Sequence, residues 1–572
     1  MYCSKENVNI LTALLVAHGV RHAVVCPGSR NSPIVHNLNE CPDITCYPVT
    51  DERSAGFYAL GMSQALSQPV VVCVTSGTAL LNVAPAVAEA YYQQRPLVVI
   101  SADRPPQWID QLDGQTLPQP DALGRFVRKA VTLPEVISSP PESGGVRGGL
   151  RSAEGRLLPE GRKNEGTDAP VQATPPAGTP PNLGGEWMSE AHWYCNRLVN
   201  EALIVKNGPV HINVPISEPL FDFSVASLPK ERKIERLSAD ISASTLSHVT
   251  RMFLQAKRPM LISGQPMNPL MDEAVCLLGD DERYVPDFVL YIGGSIVSKR
   301  LKHFLRKAKE TWVVNETGEV TDTFMNLTHV VQGDGEAVAD HIRFMLVMEP
   351  HPFVKLWDDL LERVRRRAEA YEPGYSQMAA VKYFESQVGD AVVHYANSSA
   401  IRLANSFARS HRVFCNRGVN GIEGSLSTAA GFSVVSHLTS HPSNVFCVIG
   451  DLSFFYDQNA LWNQNLGKNF RILLLNNGRG GIFNMLKGLE ESPARDKLVS
   501  AEHHTSAEGI CRQNDVVYLS AADMPQMRSA IDTLLYIESD RPVLLEVFTD
   551  AYTDEQTLKT YYQFLKQGET RH

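Results

Sequence analysis

Val445-Phe446-Cys447-Val448-Ile449-Gly450-Asp451-Leu452-Ser453 and, further on, Arg471-Ile472-Leu473-Leu474-Leu475-Asn476-Asn477 are the two stretches that decide the fold. Each is a short apolar run that ends in polar residues, the pattern of a strand buried on both faces of a parallel sheet. The separation of Asp451 from Asn477 matches one βαβ crossover. Both polar ends then fall on the same sheet edge, where open α/β folds bind ligands. A carboxylate and an amide oxygen there suit a hard divalent cation such as Mg²⁺. Gly450, Gly478, Gly480 and Gly481 would let the backbone approach a diphosphate closely. Taken alone, the same residues also serve as ordinary turn formers at strand ends.

The α/β rhythm extends outward to most of the chain. A helix ending near Ala17 is followed by a strand at His22–Cys26, with further strands at Ile44–Val49, Val70–Val74, Leu97–Ser101 and Pro209–Val214. These define a first region, 1–221. Within it, 137–186 is dense in Pro, Gly, Ser and charge, with no apolar period, and is expected to be a disordered insertion. A second region, 222–350, has strands at Pro259–Ser263, Phe288–Ile292, Trp312–Val314 and His329–Val331, and looks short between Gly264 and Asp287. The third region, 351–572, has strands at Val413–Cys415, Val445–Ile449, Arg471–Leu475, Val516–Leu519 and Val543–Phe548. The first and third share one style without a visible sequence repeat.

Composition excludes several classes. The 572 residues are 43% hydrophobic and 20% charged, ordinary for a globular protein. No apolar run approaches the roughly 18 residues of a membrane span. A net charge of −10 argues against a nucleic-acid partner. The ten cysteines are scattered, without C-x-x-C pairs or zinc spacing. With no secretory leader pattern at the start, a cytoplasmic location is expected.

A second motif, Asp51-Glu52-Arg53-Ser54-Ala55-Gly56, stands where a strand meets a helix. A carboxylate at such a strand end can exchange a proton with a heterocyclic nitrogen in a dry pocket. Asp51 equally suits a helix N-cap, with Glu52 favouring the helix dipole.

The two motifs together resemble the thiamine-diphosphate enzymes, with pyrimidine-binding, middle and diphosphate-binding domains in that order. Within that superfamily the chain resembles the 2-succinyl-5-enolpyruvyl-6-hydroxy-3-cyclohexene-1-carboxylate synthase family of menaquinone biosynthesis. Eight segments carry the likeness in order: 26–33, 51–53, 75–79, 101–106, 298–301, Asn397-Ser398 with Arg402, 416–418 and 450–453.

The resemblance implies a transferase-type carboligase that decarboxylates 2-oxoglutarate with thiamine diphosphate and adds the succinyl unit to isochorismate. It assigns proton transfer to Glu52, and the metal, Mg²⁺ with Mn²⁺ as an alternative, to Asp451, Asn477 and the main-chain carbonyl of Arg479. Thr78, Gly450, Leu452 and Ser453 would contact the cofactor, Ile422 would prop it, and Ile482 and Phe483 would form an apolar wall. Ser398 and Arg402 would clamp the succinyl part. Ser29, Arg30, Lys299, Arg300 and Arg417 would meet isochorismate, with Gln115 near the reacting centre. Arg402 and Arg417 also count as catalytic. The family arrangement implies a homodimer at least, and a homotetramer as a dimer of dimers. The 137–186 insertion and the short second region depart from the family pattern and bear on the placement of Lys299 and Arg300. Two alternatives stay open on sequence: an acetolactate-synthase-like carboligase, and a cofactor-binding protein without turnover.

Overall fold

The computed structural model describes residues 1–136, 189–236, 241–264, 267–408, 412–439, 443–481, 483 and 488–567. The expected insertion at 137–186 and Ile482 lie outside the described residues.

Three all-parallel sheets follow one another along the chain. The first contains β1 (His22–Val25), β2 (Thr45–Pro48), β3 (Val70–Val74), β4 (Leu97–Asp103), β5 (Lys129–Thr132) and β6 (Val210–Pro215), in the order β2-β1-β3-β4-β6-β5. The second has β7 (Pro259–Ser263), β8 (Phe288–Ile292), β9 (Glu310–Asn315) and β10 (Leu327–Gln332), in the sequential order β10-β9-β8-β7. The third contains β11 (Val392–Tyr395), β12 (Arg412–Phe414), β13 (Val445–Gly450), β14 (Phe470–Asn476), β15 (Val517–Ala521) and β16 (Val543–Phe548), in the order β12-β11-β13-β14-β16-β15. Relabelled from its own first strand, the third sheet repeats the order of the first. Helices supply most of the crossovers that parallel pairing requires, whereas β9 and β10 are joined by a non-helical stretch, 316–326.

Strands β3, β4, β6 and β14 are buried at every residue, so they read as unbroken apolar runs. Two strands escaped sequence reading. β5 is an edge strand with only Val131 buried. β11 has four residues, and burial pushes the pKa of its His394 down to about 3, leaving a neutral ring in the core. Between β7 and β8 the described residues form the helix Met271–Leu278 and a turn at Glu282–Tyr284.

The first and third sheets are joined through the helices that follow their second strands, Glu52–Leu66 and Ser425–Val435. The two backbones touch where side chains are missing. A Cβ on Gly61 would strike the carbonyl of Thr428, and one on Gly431 would strike that of Tyr58. Around this crossing, Tyr58 Oη donates to Ala460 O (3.0 Å) and Asn459 Nδ2 to Asp51 Oδ2 (2.6 Å).

All ten cysteines are free thiols. Among the described residues, no helix is long and apolar enough to cross a membrane, and no group of three His, Cys, Asp or Glu side chains forms a metal cluster.

Candidate cofactor and substrate site

Strand β13 ends at Gly450, and Asp451 opens the helix Asp451–Tyr456 with its side chain buried. Its Oδ1 accepts from the N–H of Leu452 (2.7 Å), and its Oδ2 from those of Asn477 (3.1 Å) and Arg479 (3.2 Å). This fixes the carboxylate against the turn after β14. His503 Nε2 stands 3.5 Å from Oδ2, and that contact raises the pKa of the imidazole. Asn477 Nδ2 donates to Asp554 Oδ2 (3.0 Å), while Asp554 also accepts from Thr549 Oγ1 (2.9 Å) and the N–H of Gln377 (2.8 Å). The amide is thereby oriented, and among the described residues nothing donates to Asn477 Oδ1. A buried carboxylate beside an unclaimed amide oxygen is a donor set that fits Mg²⁺ or Mn²⁺. A Cβ on Gly450 would meet only open space, so the strand end stays clear for a bulky anion.

These groups line a cavity of about 290 Å³ with Gly450, Leu452, Ser453 and Arg479. Ile422, 41% exposed, and Phe483 form apolar parts of the wall, with the Phe483 ring over Gly480. Ser398, Arg402 and Arg417 face the same space. Ser398 holds φ at 72°, a backbone strain that locates it tightly at the start of the helix Ser399–Phe407. Arg417 Nη1 donates to Asn397 Oδ1 (3.0 Å). Burial, and then the neighbouring charge of Arg402, pull the Arg417 pKa down. Neither arginine has a carboxylate partner among the described residues.

A second chamber of about 460 Å³ adjoins the first, sharing Gln377, Ser399, Arg402, Asn477 and Gly481. Lys299 and Arg300 line it from the helix Lys299–Leu305, whose N-cap Ser298 accepts from the N–H of Leu301 (2.9 Å). The short second region therefore still delivers both cations beside Arg402.

Five expected residues line neither chamber and sit instead at the carboxyl edge of the first sheet. Glu52 begins its helix after β2 and accepts from Asn82 Nδ2 (3.2 Å), while Asp51 is the N-cap, accepting from the N–H of Ser54 (3.1 Å). Thr78 opens the short helix after β3. Gln115, exposed at φ 56°, lies against Gly77. Ser29 is exposed after β1. Arg30 is buried, its guanidinium paired with Glu218 Oε1 (3.1 Å) and donating to Ile216 O (2.8 Å). The matched positions thus fall into two groups, one at the carboxyl edge of the first sheet and one at that of the third, with Lys299 and Arg300 of the second region beside the latter.

Residues 6–123 match the thiamine pyrophosphate enzyme, N-terminal TPP binding domain. Over its full length the chain is 40% identical to a 2-succinyl-5-enolpyruvyl-6-hydroxy-3-cyclohexene-1-carboxylate synthase of Bacteroides fragilis, with 99% of this chain and 100% of the relative covered. The chain belongs to the 2-succinyl-5-enolpyruvyl-6-hydroxy-3-cyclohexene-1-carboxylate synthase family. A synthase of the same name from Porphyromonas gingivalis is 30% identical, with 99% and 98% covered. A Mycobacterium smegmatis structure described as a thiamin diphosphate-dependent enzyme shares the fold at TM-score 0.64 and 15% identity, covering 96% of this chain and 100% of that one. Members of this synthase family are thiamine-diphosphate-dependent enzymes of menaquinone biosynthesis.

Several residues that shape this synthase-family site had no sequence motif to announce them. Asp554 orients Asn477 from 77 positions away, and Glu89, in the first region, accepts from the N–H groups of Gly418 and Val419 beside Arg417. Only the folded chain brings them together.

Proposed function

We propose that this chain decarboxylates 2-oxoglutarate and joins the succinyl unit to isochorismate, giving 2-succinyl-5-enolpyruvyl-6-hydroxy-3-cyclohexene-1-carboxylate and CO₂. One observation carries the reading: Arg402 and Arg417 line one cavity with Asp451 and Asn477, and among the described residues neither guanidinium pairs with a carboxylate. Guanidinium groups held in that state, in a protein with a net charge of −10, suit dicarboxylate substrates better than a monocarboxylate such as pyruvate.

In this reading, Asp451, Asn477 and the Arg479 carbonyl hold Mg²⁺ or Mn²⁺, and Gly450, Leu452 and Ser453 line the diphosphate. Bound thiamine diphosphate supplies the electron sink for loss of CO₂. Glu52 holds and moves a proton at the aminopyrimidine nitrogen, Thr78 contacts the cofactor, and Ile422, Ile482 and Phe483 shape its apolar wall. Ser398 and Arg402 grip the distal carboxylate of 2-oxoglutarate. Ser29, Arg30, Lys299, Arg300 and Arg417 orient isochorismate, and Gln115 stands near the reacting carbon. The regions 1–221, 222–350 and 351–572 then serve as pyrimidine, middle and diphosphate domains. In this reading Glu52 and its neighbours on one copy face the chamber of another, and their place on a different sheet edge supports it. A homodimer is the minimum assembly, a homotetramer doubles it, and the cytoplasm is the proposed location.

The test is loss of isochorismate with thiamine diphosphate and Mg²⁺, with and without 2-oxoglutarate. Loss that requires 2-oxoglutarate is expected. Folded, cofactor-loaded protein that leaves isochorismate untouched would sink the proposal and favour pyruvate-like substrates or a binding role.

A further inference from the structure

The larger chamber has four acidic residues on its wall, which at first sight contradicts a site for a dianion. Each is already engaged. Asp554 holds Asn477 and Thr549, Glu555 pairs with Lys559, and Glu273 accepts from Ser406. Burial pushes Glu273 up to about 7, which reduces its negative charge further. Lys299 and Arg402, in contrast, have no hydrogen-bond or ion-pair partner among the described residues. Lys299, Arg300 and Arg402 thus face the chamber as three cations, of which only Arg300 is paired with a carboxylate among the described residues.

The fourth acid, Asp272, does something more specific. It pairs with Arg300 through Nη1 alone, and the same nitrogen also donates to the Asp272 carbonyl (3.3 Å). Its second oxygen accepts from Ser298 Oγ, the side chain that caps the helix carrying Lys299 and Arg300. Tyr562, from the last helix (Ala551–Lys566), donates Oη to Asp272 Oδ2 (2.8 Å) and places its ring 5.1 Å from the Arg300 guanidinium carbon. Burial keeps the Tyr562 hydroxyl protonated, so it remains a donor. Arg300 is thus held by Asp272 and Tyr562, while its Nε–Nη2 edge makes no ion pair among the described residues. That free edge matches the two parallel hydrogen bonds a carboxylate accepts.

We propose that Asp272 and Tyr562 are positioning residues that present the free edge of Arg300 to a carboxylate of the acceptor substrate. This rests on the isochorismate reading above. It also assigns the last helix of the third region a role in the second region's half of the substrate chamber. Without Asp272, the flexible arginine side chain would sample many rotamers, and its ordering would be charged against binding.

The experiment uses the full chain as wild type, D272N, Y562F, R300A and the D272N/R300A double variant. Isochorismate is titrated calorimetrically without 2-oxoglutarate, and both KM values are then measured. D272N and Y562F are expected to weaken isochorismate binding and raise its KM about tenfold, with the KM for 2-oxoglutarate unchanged. In the R300A background, D272N should add nothing, because its effect passes through Arg300. Wild-type affinity in D272N, tighter binding from relief of charge pairing, or a full additive loss in the double variant would overturn the proposal. Should D272N fail to fold, Y562F decides, since it keeps the ring and loses only the hydroxyl. Wild-type protein that neither binds nor consumes isochorismate would instead overturn the proposed function, and this assignment with it.

Discussion

Glu89 of the first region clasps the backbone beside Arg417 in the third: Oε1 accepts from the N–H of Gly418 at 2.6 Å and Oε2 from that of Val419 at 2.8 Å. Burial raises the Glu89 pKa, while these two N–H groups and Gln93 pull it back down. The loop that carries Arg417 and Ile422 is therefore set by a helix of a different sheet. Replacing Glu89 by Gln puts an amide donor against a backbone donor. E89Q should lower kcat/KM about 10- to 100-fold with an unchanged circular dichroism spectrum; wild-type kinetics would show that the loop holds itself.

Asp451 is buried, and its carboxylate accepts from three backbone N–H groups. D451N keeps the shape and loses the charge that a divalent cation needs. Calorimetry with thiamine diphosphate and Mg²⁺ should show binding weakened by at least about 100-fold. Chelation of the metal should abolish isochorismate loss, and either Mg²⁺ or Mn²⁺ should restore it. Undiminished turnover in metal-free buffer would contradict the assigned ligands.

A site assembled from two copies can be exposed by mixing. E52Q and D451N homodimers should each be inactive, yet a mixed dimer contains one site with both Glu52 and Asp451 intact. Co-expression, or exchange of subunits at low protein concentration, should restore activity. If mixing restores nothing while exchange is demonstrated by tagged subunits, the two half-sites do not come from different chains.

His192 predicts a pH dependence of stability. Its Nδ1 lies 2.6 Å from Glu6 Oε1 and its Nε2 2.8 Å from Glu231 Oε1, so both nitrogens must donate and the ring is cationic. Burial opposes that charge, but the two glutamates prevail and lift the pKa to about 9 from 6.5. The folded protein then binds this proton more tightly than the unfolded chain. The stabilisation is complete below pH about 6.5 and fades as pH rises toward about 9. The melting temperature of wild type should exceed that of H192N at pH 6 and converge with it by pH 9.5. A constant gap across that range would contradict the linkage.

What could be read from sequence follows the locality of the interactions. β13 and β14 were legible because burial on both faces leaves no alternating pattern to confuse, and Asp451 with Asn477 because strand ends place their side chains predictably. β11 was illegible because a short strand with His and Tyr has too little apolar signal. The partners of the site were illegible for another reason. Tyr562 reaches Asp272 across 290 positions and Glu89 reaches Gly418 across 329, and no spacing rule connects side chains so far apart. Arg30 is the instructive middle case: its motif singles it out, and its pairing with Glu218 carries no sequence signal.

Gly61 and Gly431 occupy corresponding helices in two sheets of identical strand order, and each receives the other's backbone. Such reciprocity makes the crossing a seam between two like-folded halves of one chain. The chain is in this sense two halves closed face to face, so that a side chain added at either glycine would push against both at once.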